Sequence, residues 1–275
     1  MNKISQTVPL QYDTIFSPFG ADEFDTALHF LAEKGFTGVE LAVAYPRRVD
    51  TENLLKKLED VKLAVTTLST GQICGLDGLF LSSFDAEIRA GAVEVVKGHI
   101  ELSARIGFPP VTIGLLRGQL EQGEKEALMQ NLRQALRPCV EYAQKHGVTL
   151  QIEPIRKEET VLINNTMEAL EFIGSLGWPE HVGILYDCFH SNLEDEDMVR
   201  AIRMAGKRIT NVHLADSNRG LPGQGHIDFP AIHRALQEVD YCGAYALETL
   251  VVPDREFINR RCYDSVLAVI GESVS

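Results

Sequence analysis

Closely spaced cysteines are missing from this chain. Its five cysteines, Cys74, Cys139, Cys188, Cys242 and Cys262, form no CxxC pair. An odd, scattered set in a chain this long predicts reduced thiols rather than a disulfide frame. Long apolar runs are missing too: no stretch of about 18 residues reads as a membrane span. The opening MNKISQTVPLQYDTIF has neither the apolar region nor the small-residue cleavage site of a signal peptide. A cytoplasmic protein with no membrane partner is the expectation. Positive charge is scarce, with 26 Lys and Arg against 39 Asp and Glu and a formal net charge of −13. That balance disfavours nucleic acid as a partner, because phosphate backbones need Lys and Arg contacts. No GxGxxG or GxxxxGK[ST] phosphate loop occurs, and no Pro/Gly/Ser-rich linker divides the chain.

What is present is alternation. Apolar runs near 8–16, 39–43, 63–69, 111–115, 148–153, 182–187, 209–214 and 244–248 predict strands. Helical patterns lie near 22–34, 51–60, 85–106, 124–146, 166–176, 195–205, 229–238 and 255–270. In the fourth of these, Leu128, Leu132, Ala135, Leu136, Cys139 and Ala143 share one helical face. Pro138 predicts a kink or break there. Eight strand–helix units in 275 residues without a linker predict a single-domain α/β (β/α)8 TIM barrel rather than an open sheet. The glycines of STGQICGLDG at 69–78 read as an ordinary loop above the third strand. The acidic run Glu194-Asp195-Glu196-Asp197 reads as a helix N-terminus, where carboxylates meet free N–H groups.

Four segments carry the chemistry: LQIEP (150–154), ILYDCFH (184–190), NVHLADSNR (211–219) and YALET (245–249). Each apolar run ends on a residue able to bind a metal: Glu153, Asp187, His213 and Glu248, spaced by 34, 26 and 35 residues. Each spacing is one strand–helix unit, so the four side chains can converge at the barrel's C-terminal rim, where barrel enzymes build their sites. Any one of them alone reads equally well as a salt bridge or cap. Together they form an oxygen-rich set that suits Mn²⁺ or Mg²⁺ better than a thiolate site, with Zn²⁺, Co²⁺ or iron as alternatives. A cation held there polarises a carbonyl, acidifies the adjacent C–H and stabilises an enediolate. With Glu153 and Glu248 on opposite faces, one removes the proton and the other returns it, the signature of epimerisation. Cys188 reads as a small buried residue beside Asp187.

The segments EPIRKEETVLINNT (153–166), YDCFHSNLEDED (186–197), HLADSNRGLPGQGHIDF (213–229) and LET (247–249) resemble the xylose isomerase-like sugar epimerase and isomerase superfamily. The resemblance is to its D-tagatose/L-ribulose 3-epimerase type. Through LSTGQICGLDGLFLSS (68–83) and IGLLRG (113–118) it narrows to the 5-keto-L-gluconate epimerases. It implies a TIM barrel with one divalent ion, often Mn²⁺, on Glu153, Asp187, His213 and Glu248, and an acid/base pair in Glu153 and Glu248. It also implies that His190 and Arg219 hold substrate oxygens, that Glu159 supports the site, and that copies pair through outer helices as a homodimer or homotetramer. The usual EPLNRYET is EPIRKEET here, with Arg156 where Asn is expected and Glu158 where an aromatic is common, a departure that bears on the substrate.

Other residues bear on substrate and support. Arg117 offers a planar fork for a carboxylate; pointing into the mouth it favours a keto-sugar acid over a neutral ketose. A surface arginine paired with an acid is the plain alternative. His226 either reaches a substrate hydroxyl or anchors its loop. Glu40, ending the second strand, reads as orienting its neighbours. His29, His99, His146, His181 and His233 read as structural or solvated, and Trp178 as packing in a turn. The leading expectation is a metal-dependent epimerase of a ketose or keto-sugar acid, a small-molecule substrate. An isomerase of the hydroxypyruvate or 2-oxo-tetronate type and an inosose- or dehydroshikimate-type dehydratase share its proton-abstraction step. A repair endonuclease would need more metal ligands and a basic track; a sugar-binding module would not need both glutamates.

Overall fold

The computed structural model describes residues 2–118 and 124–271. Eight strands lie in it: β1 (Ile4–Pro9), β2 (Gly38–Ala42), β3 (Ala64–Ser69), β4 (Val111–Ile113), β5 (Leu150–Ile152), β6 (Val182–Asp187), β7 (Ile209–Leu214) and β8 (Ala244–Leu247). Each pairs in parallel with the next, and β8 returns to β1, so the sheet closes as the expected barrel. The helices are α1 (Phe24–Lys34), α2 (Thr51–Val61), α3 (Gln72–Asp77), α4 (Ala86–Arg105), α5 (Lys125–His146), α6 (Thr166–Ser175), α7 (Cys188–Glu194), α8 (Met198–Ala205), α9 (Phe229–Glu238) and α10 (Arg255–Ile270). None of the helices among the described residues is long and apolar enough to cross a membrane.

Local chemistry starts these helices. Asp50, Asp85, Asn165, Asp197, Asp228 and Asp254 each accept a hydrogen bond from an N–H in the first turn of the helix that follows. Such caps contribute about 0.5–2 kcal/mol each. Within the acidic run, Asp197 caps α8 as expected, whereas Glu194 ends α7 and Asp195 accepts from the Thr166 N–H that opens α6. In α5 the apolar face is buried, and each fully buried leucine there contributes about 1.5–3 kcal/mol. Pro138 does not break α5. It lies on the exposed side with Gln134, where water can satisfy the Gln134 carbonyl that loses its N–H partner.

Three elements differ from the reading of the sequence, one of them α7, a short helix directly after β6 where none was expected. The first strand is Ile4–Pro9, not 8–16. Its Ser5, Gln6 and Thr7 are polar yet buried, so it lacks an apolar signature, whereas Ile15 lies two-thirds exposed at 68% in the loop beyond. The 69–78 segment is not a plain loop: it forms the short helix α3, anchored by buried Ile73 and Cys74. Buried polar groups also cross-link the barrel. Asn211 of β7 donates to the Thr66 carbonyl of β3 at 3.0 Å, and Gln151 joins Thr112 and Thr210.

Close packing of strands makes one glycine a test of the fold. A Cβ on Gly183 in β6 would lie 2.3 Å from Thr210 Cγ2 and 2.8 Å from the Arg208 carbonyl oxygen. Gly183→Ala is expected to cost about 1–3 kcal/mol. Differential scanning calorimetry should register roughly 2–4 °C of Tm per kcal/mol, and an unchanged Tm would contradict this packing.

Candidate active site

Strand ends place the four expected residues. Asp187 closes β6 and His213 lies within β7, while Glu153 and Glu248 directly follow β5 and β8. Asp187 pairs in register with His213 across the β6–β7 ladder. One ligand atom from each of the four lies within 4.8 Å of the others, and all four residues are buried. His213 Nδ1 stands 3.3 Å from Asp187 Oδ2, 3.4 Å from Glu248 Oε2 and 3.7 Å from Glu153 Oε1.

Each side chain is held from behind. Asp187 Oδ1 caps α7, accepting from the Phe189 and His190 N–H groups at 2.8 and 3.0 Å. Its other oxygen, Oδ2, is buried without a hydrogen-bond partner, as is His213 Nδ1. Burial of unsatisfied polar atoms is costly, and here both face the same cluster of carboxylates. The His213 Nε2 side meets Glu40 Oε2 at 2.9 Å. Glycine makes room for the fourth group: a Cβ on Gly114, just past β4, would stand 2.5 Å from Glu153 Oε2. Three carboxylates and one imidazole with outstanding valences are a donor set that fits a divalent cation of the Mn²⁺ or Mg²⁺ kind.

Electrostatics set the groups apart. Burial, reinforced by the Glu248 charge, pushes the Glu153 carboxyl up to about 8. Burial acts the same way on Asp187, but Arg219 and the two histidines outweigh it and hold Asp187 low. Glu248 is also lowered, because His213 and Arg219 overcome its burial. Burial opposes charge on His213, yet Glu40 and Glu248 raise it well above an ordinary histidine. His190 is pushed down to about 4, by burial first.

A cavity of about 600 Å³ opens over this cluster, a size suited to a small molecule. Arg219 hangs over it in a left-handed conformation, φ 61°. Its guanidinium pairs with Glu248 and, at 3.3 Å, with Asp187 Oδ2, and donates to His190 Nε2 at 3.0 Å. Phe16 and Phe189 flank that guanidinium at 4.9 and 4.7 Å. Glu159 lines the cavity and accepts from Arg156 Nε at 2.6 Å. Cys188, behind Asp187, is buried as expected.

Two expected residues are not brought to the cavity. Arg117 is fully buried and donates to the carbonyls of Leu162, Ile163 and Gly114 at 2.8–2.9 Å. Its fork is spent on backbone, which corrects the expectation that it points into the mouth and removes that argument for a sugar acid. His226 is exposed outside the cavity, against Ser217 Oγ at 3.0 Å, so its loop-anchoring alternative is the one realised. The hub of that loop is Asp216, which accepts from the Ser217, Gly223 and Ile227 N–H groups. Sequence reasoning missed Asp216, and it missed Phe16 and Phe189 as walls of the Arg219 slot. The Asp-Ser-Asn turn signature was the available signal for Asp216; none marked the phenylalanines.

Comparison with known proteins agrees with this geometry. The family model described as Xylose isomerase-like TIM barrel matches residues 28–261. An L-ribulose 3-epimerase of Mesorhizobium japonicum is 33% identical over 230 residues, covering 82% of this chain and 75% of that protein. A 3-dehydro-D-guloside 4-epimerase of Escherichia coli is 25% identical over 229 residues, 80% of this chain and 84% of that protein. A solved L-ribulose 3-epimerase structure superposes with a TM-score of 0.83 at 27% identity, covering 98% of this chain and 94% of that one.

The raised Glu153 and His213 give a test of the cluster. Both shifts favour the protonated forms when no cation is present, and each group must shed its proton to act as a ligand. Cation binding should therefore release about one to two protons per ion, and affinity should climb with pH through neutrality. Titration calorimetry of Mn²⁺ in buffers of different ionisation enthalpy measures the release; none at pH 7 would contradict the assignment.

Proposed function

Since the chain belongs to the Xylose isomerase-like TIM barrel family, we propose that it is a divalent-metal-dependent epimerase of a ketose or keto-sugar acid. The chain is an isomerase, as its epimerase relatives are. The observation that carries the reading is the buried convergence of Glu153, Asp187, His213 and Glu248 beneath the cavity. These four residues would hold the ion, with Mn²⁺ the best match to their donors. When bound, it supplies Lewis acidity toward the substrate's carbonyl and an adjacent hydroxyl.

The chain's own residues then move the proton. One of Glu153 and Glu248 takes it from the carbon beside the carbonyl, leaving an enediolate. The other delivers a proton to the opposite face, and the centre inverts. Arg219 and His190 hold substrate oxygens: the guanidinium, braced by Phe16 and Phe189, presents N–H donors. With His190 kept neutral by burial, its ring donates or accepts without adding charge. Glu159 supports the cavity wall through Arg156. The phenylalanines exclude water from the reacting carbon.

Arg156 favours a second substrate reading. It lines the cavity, and its ion pair uses Nε, which leaves the rest of its fork to meet a carboxylate. A keto-sugar acid fits that rim, as a neutral ketose fits the relatives' names. Action in the cytoplasm and assembly as a homodimer or homotetramer belong to the same proposal.

Proton NMR in D₂O on a panel of neutral ketoses and keto-hexonates tests it. One carbinol carbon should gain deuterium while the carbonyl stays in place; a migrated carbonyl means an isomerase, and lost water a dehydratase. Glu153→Gln and Glu248→Gln should each lower turnover by at least roughly 10²-fold while circular dichroism stays native. Near-normal turnover in either variant overturns the two-face pair. Chelation should abolish exchange, and Mn²⁺ or Co²⁺ should restore it.

A further inference from the structure

Glu40 packs against the cluster without being among its four ligands, and it has no access to water. Its exposure is 0%, and that of His213 is 1%. One carboxylate oxygen, Oε2, lies 2.9 Å from His213 Nε2. The other, Oε1, accepts from Thr7 Oγ1 at 3.4 Å, and Thr7 is its register partner on β1. The β2–β3 ladder slips by a residue between Val39 and Glu40. Such irregularities re-aim side chains beside active sites. Nothing in the proton transfer needs Glu40.

A carboxylate oxygen accepts, so the hydrogen between Glu40 Oε2 and His213 Nε2 belongs on the ring nitrogen. In its neutral form, the one able to ligate a cation, the ring then carries its lone pair on Nδ1. That atom is the one buried without a hydrogen-bond partner and facing Glu153, Asp187 and Glu248. We propose that Glu40 is a positioning residue for the cation: it fixes His213 as the Nε2–H tautomer, orients its ring and makes Nδ1 a stronger donor. The inference rests on the metal reading given above. A carboxylate behind a ligating histidine is a general means of raising metal affinity. Here the carboxylate comes from across the barrel, five strands from the imidazole it orients along one direction and three along the other.

The test uses the whole chain and two readouts besides activity. Glu40→Gln keeps the shape and an acceptor oxygen but loses the charge. Its Mn²⁺ dissociation constant, counted by the EPR signal of the free ion, should rise about 10–100-fold. Thermal unfolding of the metal-free form should show a native transition. Separately, ¹⁵N–¹H correlation spectra of wild-type protein loaded with Zn²⁺ should show His213 protonated at Nε2. This second readout decides the matter even where the variant fails to fold. Mn²⁺ affinity within about twofold of wild type in folded Glu40→Gln, or a Zn²⁺-loaded His213 protonated at Nδ1, overturns the role of Glu40. Wild-type protein that binds neither ion overturns the metal reading itself, and the inference with it.

Discussion

Three carboxylates buried within a few ångströms of each other are the constraint on which this structure turns. Glu153, Asp187 and Glu248 crowd around His213 with side chains at most 11% exposed. Like charges in such a place repel strongly, and leaving one unpaired costs about 3–5 kcal/mol. Positive charge must therefore be delivered to this point. Arg219 delivers part of it, reaching both Asp187 and Glu248. Asp187 Oδ2 and His213 Nδ1, buried without hydrogen bonds, mark where a cation would complete the balance.

The barrel exists, in functional terms, to hold that crowd still. Strand ends supply the positions, and hydrogen bonds from behind supply the orientation: α7 grips Asp187, and Glu40 meets His213. Arg219 is pinned differently. It sits in a left-handed turn, in a loop organised by the buried Asp216, with a phenylalanine on each side of its guanidinium. Two guanidiniums, Arg219 and Arg156, approach Phe189. The wall of the cavity and its charge are thus one assembly.

Much of this was legible in the sequence because buried parallel strands write themselves as apolar runs. Those runs located the later strands, and the ligands at their ends converge as the spacing required. Legibility failed where burial and polarity disagree. β1 was misplaced because Ser5, Gln6 and Thr7 are buried inside a barrel whose interior carries polar cross-links. Neither reading of Arg117, a carboxylate binder or a surface ion pair, holds, because a sequence shows its fork but not the carbonyls that occupy it. His226 sits in a motif with the site's arginine, yet the turn around Asp216 directs it to Ser217. Contacts among distant loops, such as Phe16 on Arg219, have no periodicity to announce them.

The central claim is that one divalent ion sits among Glu153, Asp187, His213 and Glu248. Anomalous diffraction at the manganese edge, from crystals grown with saturating Mn²⁺, tests it most directly. The account predicts a single peak at this rim, bonded to all three carboxylates and to Nδ1 of His213. A peak elsewhere, bonding through Nε2, or no peak at saturation would contradict it.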